Sequence, residues 1–277
     1  MLKIGSYNDL VVEREVDFGV YLNPKADEVL LPSKYVPEHT RPGDTLRVFV
    51  YTDSLDRPVA TILKPKAVVG ECACLEVRSV VPFGAFVDWG LEKDLLVPKN
   101  EQQARMKVGK KYVVKVCLDK KTGRCYGTTR IAQNCEKDTK DLVKGKKVRM
   151  LIYSLTNLGI MAVVDNKYCG LLYRSETYEP LAIGDVRDGY INRIREDGKI
   201  DLTLKKPGYV SVSGSSGRII HALRKSRGFI ACHDKSSPEE IKRLFSMSKK
   251  EFKRAIGGLY KTGVIELSKD GIRLKRP

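Results

Sequence analysis

The sequence predicts a mainly β protein with a C-terminal α+β module: three five-stranded barrels in tandem, then a helical segment that ends in a hairpin. Three observations predict it. A glycine-centred pattern recurs three times at near-equal spacing, the hydrophobic period inside each copy is two, and after about residue 205 the period becomes that of a helix. The chain has 277 residues, 42% hydrophobic and 31% charged, enough apolar material for packed cores. Length alone suggests about two domains; the repeats raise this to four modules, spanning 1–65, 66–137, 138–205 and 206–277.

The repeat reads Val16-Asp17-Phe18-Gly19-Val20-Tyr21-Leu22, then Val81-Pro82-Phe83-Gly84-Ala85-Phe86-Val87, and more weakly Asn157-Leu158-Gly159-Ile160-Met161-Ala162-Val163. Each copy is followed by an apolar pair entering a turn: Leu30-Leu31-Pro32, Leu96-Val97-Pro98 and Leu171-Leu172-Tyr173. Each then reaches a glycine that opens a strand, Gly43, Gly109 or Gly184, which lies 24, 25 or 25 residues after the first. Leu46-Arg47-Val48-Phe49-Val50 and Tyr112-Val113-Val114-Lys115-Val116 are β-branched and aromatic, as strands are. Asp119 to Arg124 and Glu196-Asp197-Gly198-Lys199 read as hairpin turns, glycine supplying the positive φ. Five short strands in about 65–75 residues is the content of an OB-fold barrel, which hides its edges by closing.

The run Gly70…Phe83-Gly84-Ala85-Phe86-Val87-Asp88…Leu96-Val97…Gly109…Arg124 resembles the S1 RNA-binding domain, most closely in the second repeat and least in the third. The resemblance implies three S1-like OB-fold barrels, with a base-stacking aromatic pair beside the first glycine of the first and second repeats. Where S1 modules usually carry a histidine after the Leu-Val pair, this chain has Pro32, Pro98 and Tyr173, so that contact is not expected.

Pro207 to Gly217 reads as a Gly/Ser-rich linker. A helix follows through Ile219, Ile220 and Leu223. Ser237-Pro238-Glu239-Glu240 and Ser248-Lys249-Lys250-Glu251 are helix starts with Ser N-caps. Ile241, Leu244 and Phe245 form one apolar stripe, and Phe252, Ala255, Ile256, Leu259 and Tyr260 another. Val264 to Leu267, Lys269-Asp270-Gly271 and Ile272 to Leu274 read as strand, turn and strand. Three helices and a hairpin make a winged-helix domain. From residue 205 onward there are 18 basic and 6 acidic residues, so most of the chain's +17 lies there.

The whole chain is similar to the conserved virulence factor B family. The run Asp234 to Ile241, then Met247-Ser248-Lys249-Lys250-Glu251-Phe252-Lys253 and Asp270-Gly271-Ile272, carries the resemblance. It implies a bacterial, cytoplasmic, non-enzymatic RNA-binding protein that affects gene expression.

Candidate contacts follow from strand alternation. Ala85 and Val87 point into the barrel, so Phe86 points out, joined by Phe83 from the preceding turn. In the first repeat Val20 and Leu22 point in, Tyr21 out, and Phe18 precedes the glycine. An outward ring stacks a base, worth ~1–3 kcal/mol, or packs beneath a neighbouring loop or domain. Arg57 and Arg124 in the hairpins contact phosphate or stack on a base, or are solvated charges; Lys199 replaces them in the third repeat. That repeat has Leu158 and Met161 in place of the rings but keeps Tyr173 at its turn, and reads as the weakest site. On the last helix Lys249, Lys250, Lys253 and Arg254, with Lys261, form a basic face that binds nucleic acid or is merely solvated. Trp89 serves either the core or base contact.

The expected partner is RNA, single-stranded by preference because stacking needs unpaired bases. The alternative is a DNA-binding transcription regulator acting through the winged helix. No run of about 18 apolar residues suggests a membrane span, and the N-terminus lacks a signal peptide's apolar region. Seven scattered cysteines without a C-x-x-C pair read as free thiols in a reducing cytoplasm, and neither a metal nor another cofactor is expected. Cleavage with Mg²⁺ would need clustered carboxylates, whereas the acidic residues are dispersed among the repeats.

Overall fold

The computed structural model describes residues 2–23, 28–174, 177, 180–205 and 214–275. They form two compact units that divide at residues 204 and 205. The first unit holds the repeats. Its first barrel is β1 (Ser6–Val16), β2 (Gly19–Leu22), β3 (Val29–Pro32), β4 (Thr45–Thr52) and β5 (Pro58–Thr61); the second is β6 (Cys72–Val81), β7 (Gly84–Val87), β8 (Leu95–Pro98), β9 (Lys111–Leu118) and β10 (Cys125–Thr128); the third is β11 (Lys147–Leu155), β12 (Gly159–Val164), β13 (Tyr168–Tyr173), β14 (Val186–Ile194) and β15 (Ile200–Thr203).

The long first strand is what bends each sheet into a barrel. The first half of β1 pairs with β4, its second half with β2, and a bulge falls between Val12 and Arg14. β6 and β11 do the same, with bulges between Val77 and Ser79 and between Ile152 and Ser154. Bulges sharpen the twist and let one strand serve two neighbours. The last strand returns parallel to the third, Leu30 opposite Val59 and Gly170 opposite Ile200. The first and third barrels close in the order β1-β2-β3-β5-β4 and β11-β12-β13-β15-β14; the second is a five-stranded sheet in the order β10-β9-β6-β7-β8.

The repeated glycine has a packing reason. A Cβ at Gly84 would stand 2.5 Å from the Val97 carbonyl oxygen of β8, and one at Gly159 would stand 2.4 Å from that of Leu172. No side chain fits where the second and third strands approach this closely.

The first two barrels share one hydrophobic core. Phe49 and Tyr51 of β4 pack edge-on to Trp89, at ring distances of 5.6 and 6.5 Å. The Trp89 indole is buried and donates to the Ala67 carbonyl at 2.6 Å. Of the two roles open to Trp89 in the sequence, the structure gives the core. Burial pushes the Tyr51 hydroxyl up to about 12. Buried Val113, Ile131 and Val163 join the second barrel to the third, and the Cys72 amide donates to Asn166 Oδ1 at 3.1 Å.

One expectation fails at this second junction. Cys135 and Cys169 are disulfide-bonded, Cα atoms 5.8 Å apart, so not every thiol is free. The segment after Asn134 runs beside β13, the Glu136 amide donating to the Lys167 carbonyl, and sets side by side two cysteines 34 residues apart. Cys72, Cys74, Cys117, Cys125 and Cys232 are free; burial pushes the Cys72 thiol up to about 12 and that of Cys125 to about 11.

The second unit runs α1 (Gly214–Lys225), β16 (Phe229–Ile230), α2 (Pro238–Phe245), α3 (Lys249–Lys261), β17 (Ile265–Ser268) and β18 (Gly271–Leu274), with β18 at the centre of its sheet. Ser237 and Ser248 cap α2 and α3 by accepting from the Glu240 and Glu251 amides. α1 begins at Gly214, inside the expected linker, whose residues 207–213 lie outside the described ones. The strand β16 was not foreseen. Leu244 and Tyr260, expected on apolar stripes, are 38% and 56% exposed. Ile241 with Phe245, and Phe252 with Ala255, Ile256 and Leu259, already fill the faces toward the core.

Candidate nucleic-acid interface

The second barrel carries the most open site. Phe86 leaves the outer face of β7, between Ser79 of β6 and Leu96 of β8, while Ala85 and Val87 are buried. Phe83, in the β6–β7 turn, is 60% exposed. The two rings meet edge to face, centroids 6.2 Å apart and planes at 89°. They line a cleft of about 1090 Å³ that is also lined by Ser54 and Asp56 of the β4–β5 hairpin of the first barrel and by Tyr126 of β10. The cleft is therefore built by two barrels.

Arg124 lines this cleft too, and its guanidinium is ion-paired with Asp56. Lys93, which the sequence reading missed, reaches across to donate to the Thr52 and Asp53 carbonyls at 3.0 and 2.7 Å, and desolvation lowers its pKa. Asp88, next to Trp89, is held down to about 2, chiefly by its hydrogen bond with Lys66 and further by Arg78.

In the first barrel Phe18 is 56% exposed and meets Tyr21 edge to face at 6.3 Å, repeating the geometry of Phe83 and Phe86. Here one ring face is taken. Arg14, opposite Tyr21 on β1, lays its guanidinium 4.0 Å from the ring centroid and pairs with Glu28. The matching position in the second barrel is Ser79, too short to cover Phe86. Arg57 grips Asp53 of its own hairpin through Nε and Nη2, at 3.0 and 2.8 Å.

The third barrel presents Leu158, 63% exposed, and half-buried Met161, with no ring at either place. The Tyr173 hydroxyl accepts from Arg195, whose guanidinium also chelates Asp201. Lys199 pairs with Asp197 at 2.7 Å. Tyr173 is thus braced within its own barrel.

On α3, Lys250, Lys253, Arg254 and Lys261 are exposed. Lys249 departs from the expected face: it is half-buried, and its ammonium donates to the Lys235 carbonyl at 3.3 Å. Glu251, the acidic residue on the first turn, turns toward α1 to meet Ser215 and Arg218.

Arg14 could have been found, because hairpin register places it opposite Tyr21. Lys93 and Asp56 could not, since their partners come from another barrel.

Comparison with known proteins bears on the modules. The S1 domain family model matches residues 4–63, which is the first barrel rather than the second, where the motif reads most closely; a CvfB-like winged helix domain matches residues 217–274. The chain is 30% identical to the uncharacterized protein YitL of Bacillus subtilis over 95% of this chain and 91% of that one. It is 25% identical to conserved virulence factor B of Staphylococcus epidermidis over 91% and 88%. A crystal structure of a multidomain protein with nucleic acid binding domains from Streptococcus pneumoniae aligns over 98% of both chains, at 25% identity and a TM-score of 0.43. Tandem barrels that include an S1 domain, followed by a winged helix, define a nucleic-acid-binding protein. The chain belongs to the conserved virulence factor B family. Among the described residues no helix is long and apolar enough to cross a membrane.

Proposed function

We propose that this chain is a non-catalytic, cytoplasmic protein that binds single-stranded RNA and regulates gene expression after transcription. The observation that carries the reading is the open pair Phe83 and Phe86, at right angles on a cleft of about 1090 Å³. Rings so placed bind unpaired bases and cannot stack on bases inside a duplex. Phe18 and Tyr21 form a second, partly covered platform, and Lys250, Lys253 and Arg254 add phosphate contacts. The regulatory role rests on the resemblance to the family, not on the geometry.

The exposed cations of α3 favour one other reading, a duplex-DNA regulator. Competition between matched single-stranded RNA and duplex DNA separates the two. We expect RNA to win, and equal or tighter binding of the duplex would reverse the ranking. Incubation of labelled RNA with protein and Mg²⁺ is expected to leave the RNA intact.

Salt dependence gives a further test. If about six phosphates of a single strand are neutralised, affinity falls about 300-fold between 50 and 200 mM salt. Replacing Lys250, Lys253 and Arg254 by alanine should flatten the log–log slope by about 2, at ~0.7 per lost single-strand contact. An unchanged slope would make the α3 face a merely solvated one.

A further inference from the structure

The charged lining of the second barrel's cleft is more acidic than basic. The chain carries +17, yet the charged groups lining this cleft are Lys93, Lys120 and Arg124 against Asp56, Asp94, Glu101 and Asp119. Two of the cations are committed, Arg124 to Asp56 and Lys93 to two carbonyls. Asp119 is occupied by its own turn, through the Lys121 amide and the Thr122 hydroxyl. Asp94 and Glu101, by contrast, have no hydrogen bond or ion pair to their carboxylates among the described residues. A polyanion's phosphates would not seek such a wall, whereas the N–H edge of a base would.

Asp94 is the better placed of the two acceptors. It immediately precedes β8, two residues before Leu96, and Leu96 is the cross-strand partner of Phe86. Side chains two apart share a face, roughly 7 Å along the strand. Asp94 stands one residue before β8, at the end where Leu95 pairs with Val87, whereas Glu101 lies three residues past the other end of the strand. Burial, together with the nearby charge of Asp88, raises the Asp94 carboxyl above its ordinary range, against a partial opposing effect of Arg78 and Lys66.

We propose that Asp94 reads the edge of the base stacked on Phe86, and that the cleft prefers guanine. Guanine presents adjacent N1–H and N2–H groups that a single carboxylate accepts together. Uracil presents one N–H between two carbonyls that repel it, and adenine and cytosine present one amino group each. This rests on the stacking reading above and adds a specificity to it.

The test is binding of full-length protein, by fluorescence anisotropy, to an oligouridine of about eight nucleotides with one central position changed to guanosine, inosine, adenosine or cytidine. Inosine keeps the stacking surface and N1–H but lacks the amino group. The expected result is that guanosine binds about tenfold tighter than inosine, the effect of one charge-assisted hydrogen bond, and that Asp94→Asn brings this ratio close to one. The ratio is the readout because losing a negative charge raises affinity for every RNA. A wild-type ratio near one, or a ratio that responds to Glu101→Gln and not to Asp94→Asn, overturns the assignment. The Phe83→Ala/Phe86→Ala variant separates the two layers. If it loses affinity for the plain uridine oligomer while the wild-type ratio is one, stacking stands and only the guanine reading falls; if it loses none, the stacking reading falls, and this inference with it.

Discussion

Replacing Phe83 and Phe86 together by alanine is expected to weaken single-stranded RNA binding at least tenfold. Each ring that stacks a base contributes ~1–3 kcal/mol, and loss of two exceeds the 1.4 kcal/mol that corresponds to a factor of ten. The same change at Leu158 and Met161, the matching positions of the third barrel, should cost little affinity, since no ring is removed. Stability is the control. Phe83 is 60% exposed and Phe86 half-buried, so the double change should cost about 1–2 kcal/mol by lost apolar burial, well below the ~3–5 kcal/mol of a truncated core aromatic. A large drop in melting temperature with unchanged affinity would mean that the rings serve the core, and the assignment of Phe18 and Tyr21 would fall with them.

The largest stability effect is expected at Trp89. Its indole is buried against Phe49 and Tyr51 of the neighbouring barrel and donates to the Ala67 carbonyl. Trp89→Ala should destabilise the barrel unit by about 3–5 kcal/mol, from lost burial and an unfilled cavity. In a unit of this size that is a fall in melting temperature of roughly 10 °C. Trp89→Phe restores most of the packing and should recover all but about 1 kcal/mol, the share of the missing N–H. A Trp89→Ala protein that melts like the wild type would contradict the shared core between the first two barrels.

What the sequence made legible was local. Strand period, the thrice-repeated glycine and the serine caps of α2 and α3 are short-range signals, and each marks a feature the structure contains. Alternation along β2 and β7 placed Tyr21 and Phe86 outward for the same reason. The missed features are contacts between barrels: Asp56 on Arg124, Lys93 on the β4–β5 carbonyls, Phe49 and Tyr51 as the partners of Trp89, and the Cys135–Cys169 bond. These join residues 34 to 68 positions apart, and no periodicity encodes how one barrel faces the next. Arg57 and Arg124 show the consequence. In the sequence they are equivalent hairpin arginines, yet one closes on its own turn and the other is held across the cleft of the second barrel. Leu244 and Tyr260 fit the helical period and still lie outside the core, because a small domain fills its interior with fewer side chains than the pattern offers.

The central claim is that unpaired bases lie on the aromatic faces of the barrels. Photo-crosslinking of single-stranded RNA carrying 5-iodouridine to the full-length protein, with the adducts mapped by mass spectrometry, tests it most directly, because this chemistry favours rings in stacking contact. The account predicts adducts at Phe83 and Phe86 first and at Phe18 and Tyr21 second, lost to competing single-stranded RNA and retained against duplex DNA. Adducts confined to residues 249–261, or displaced by duplex DNA, would contradict it.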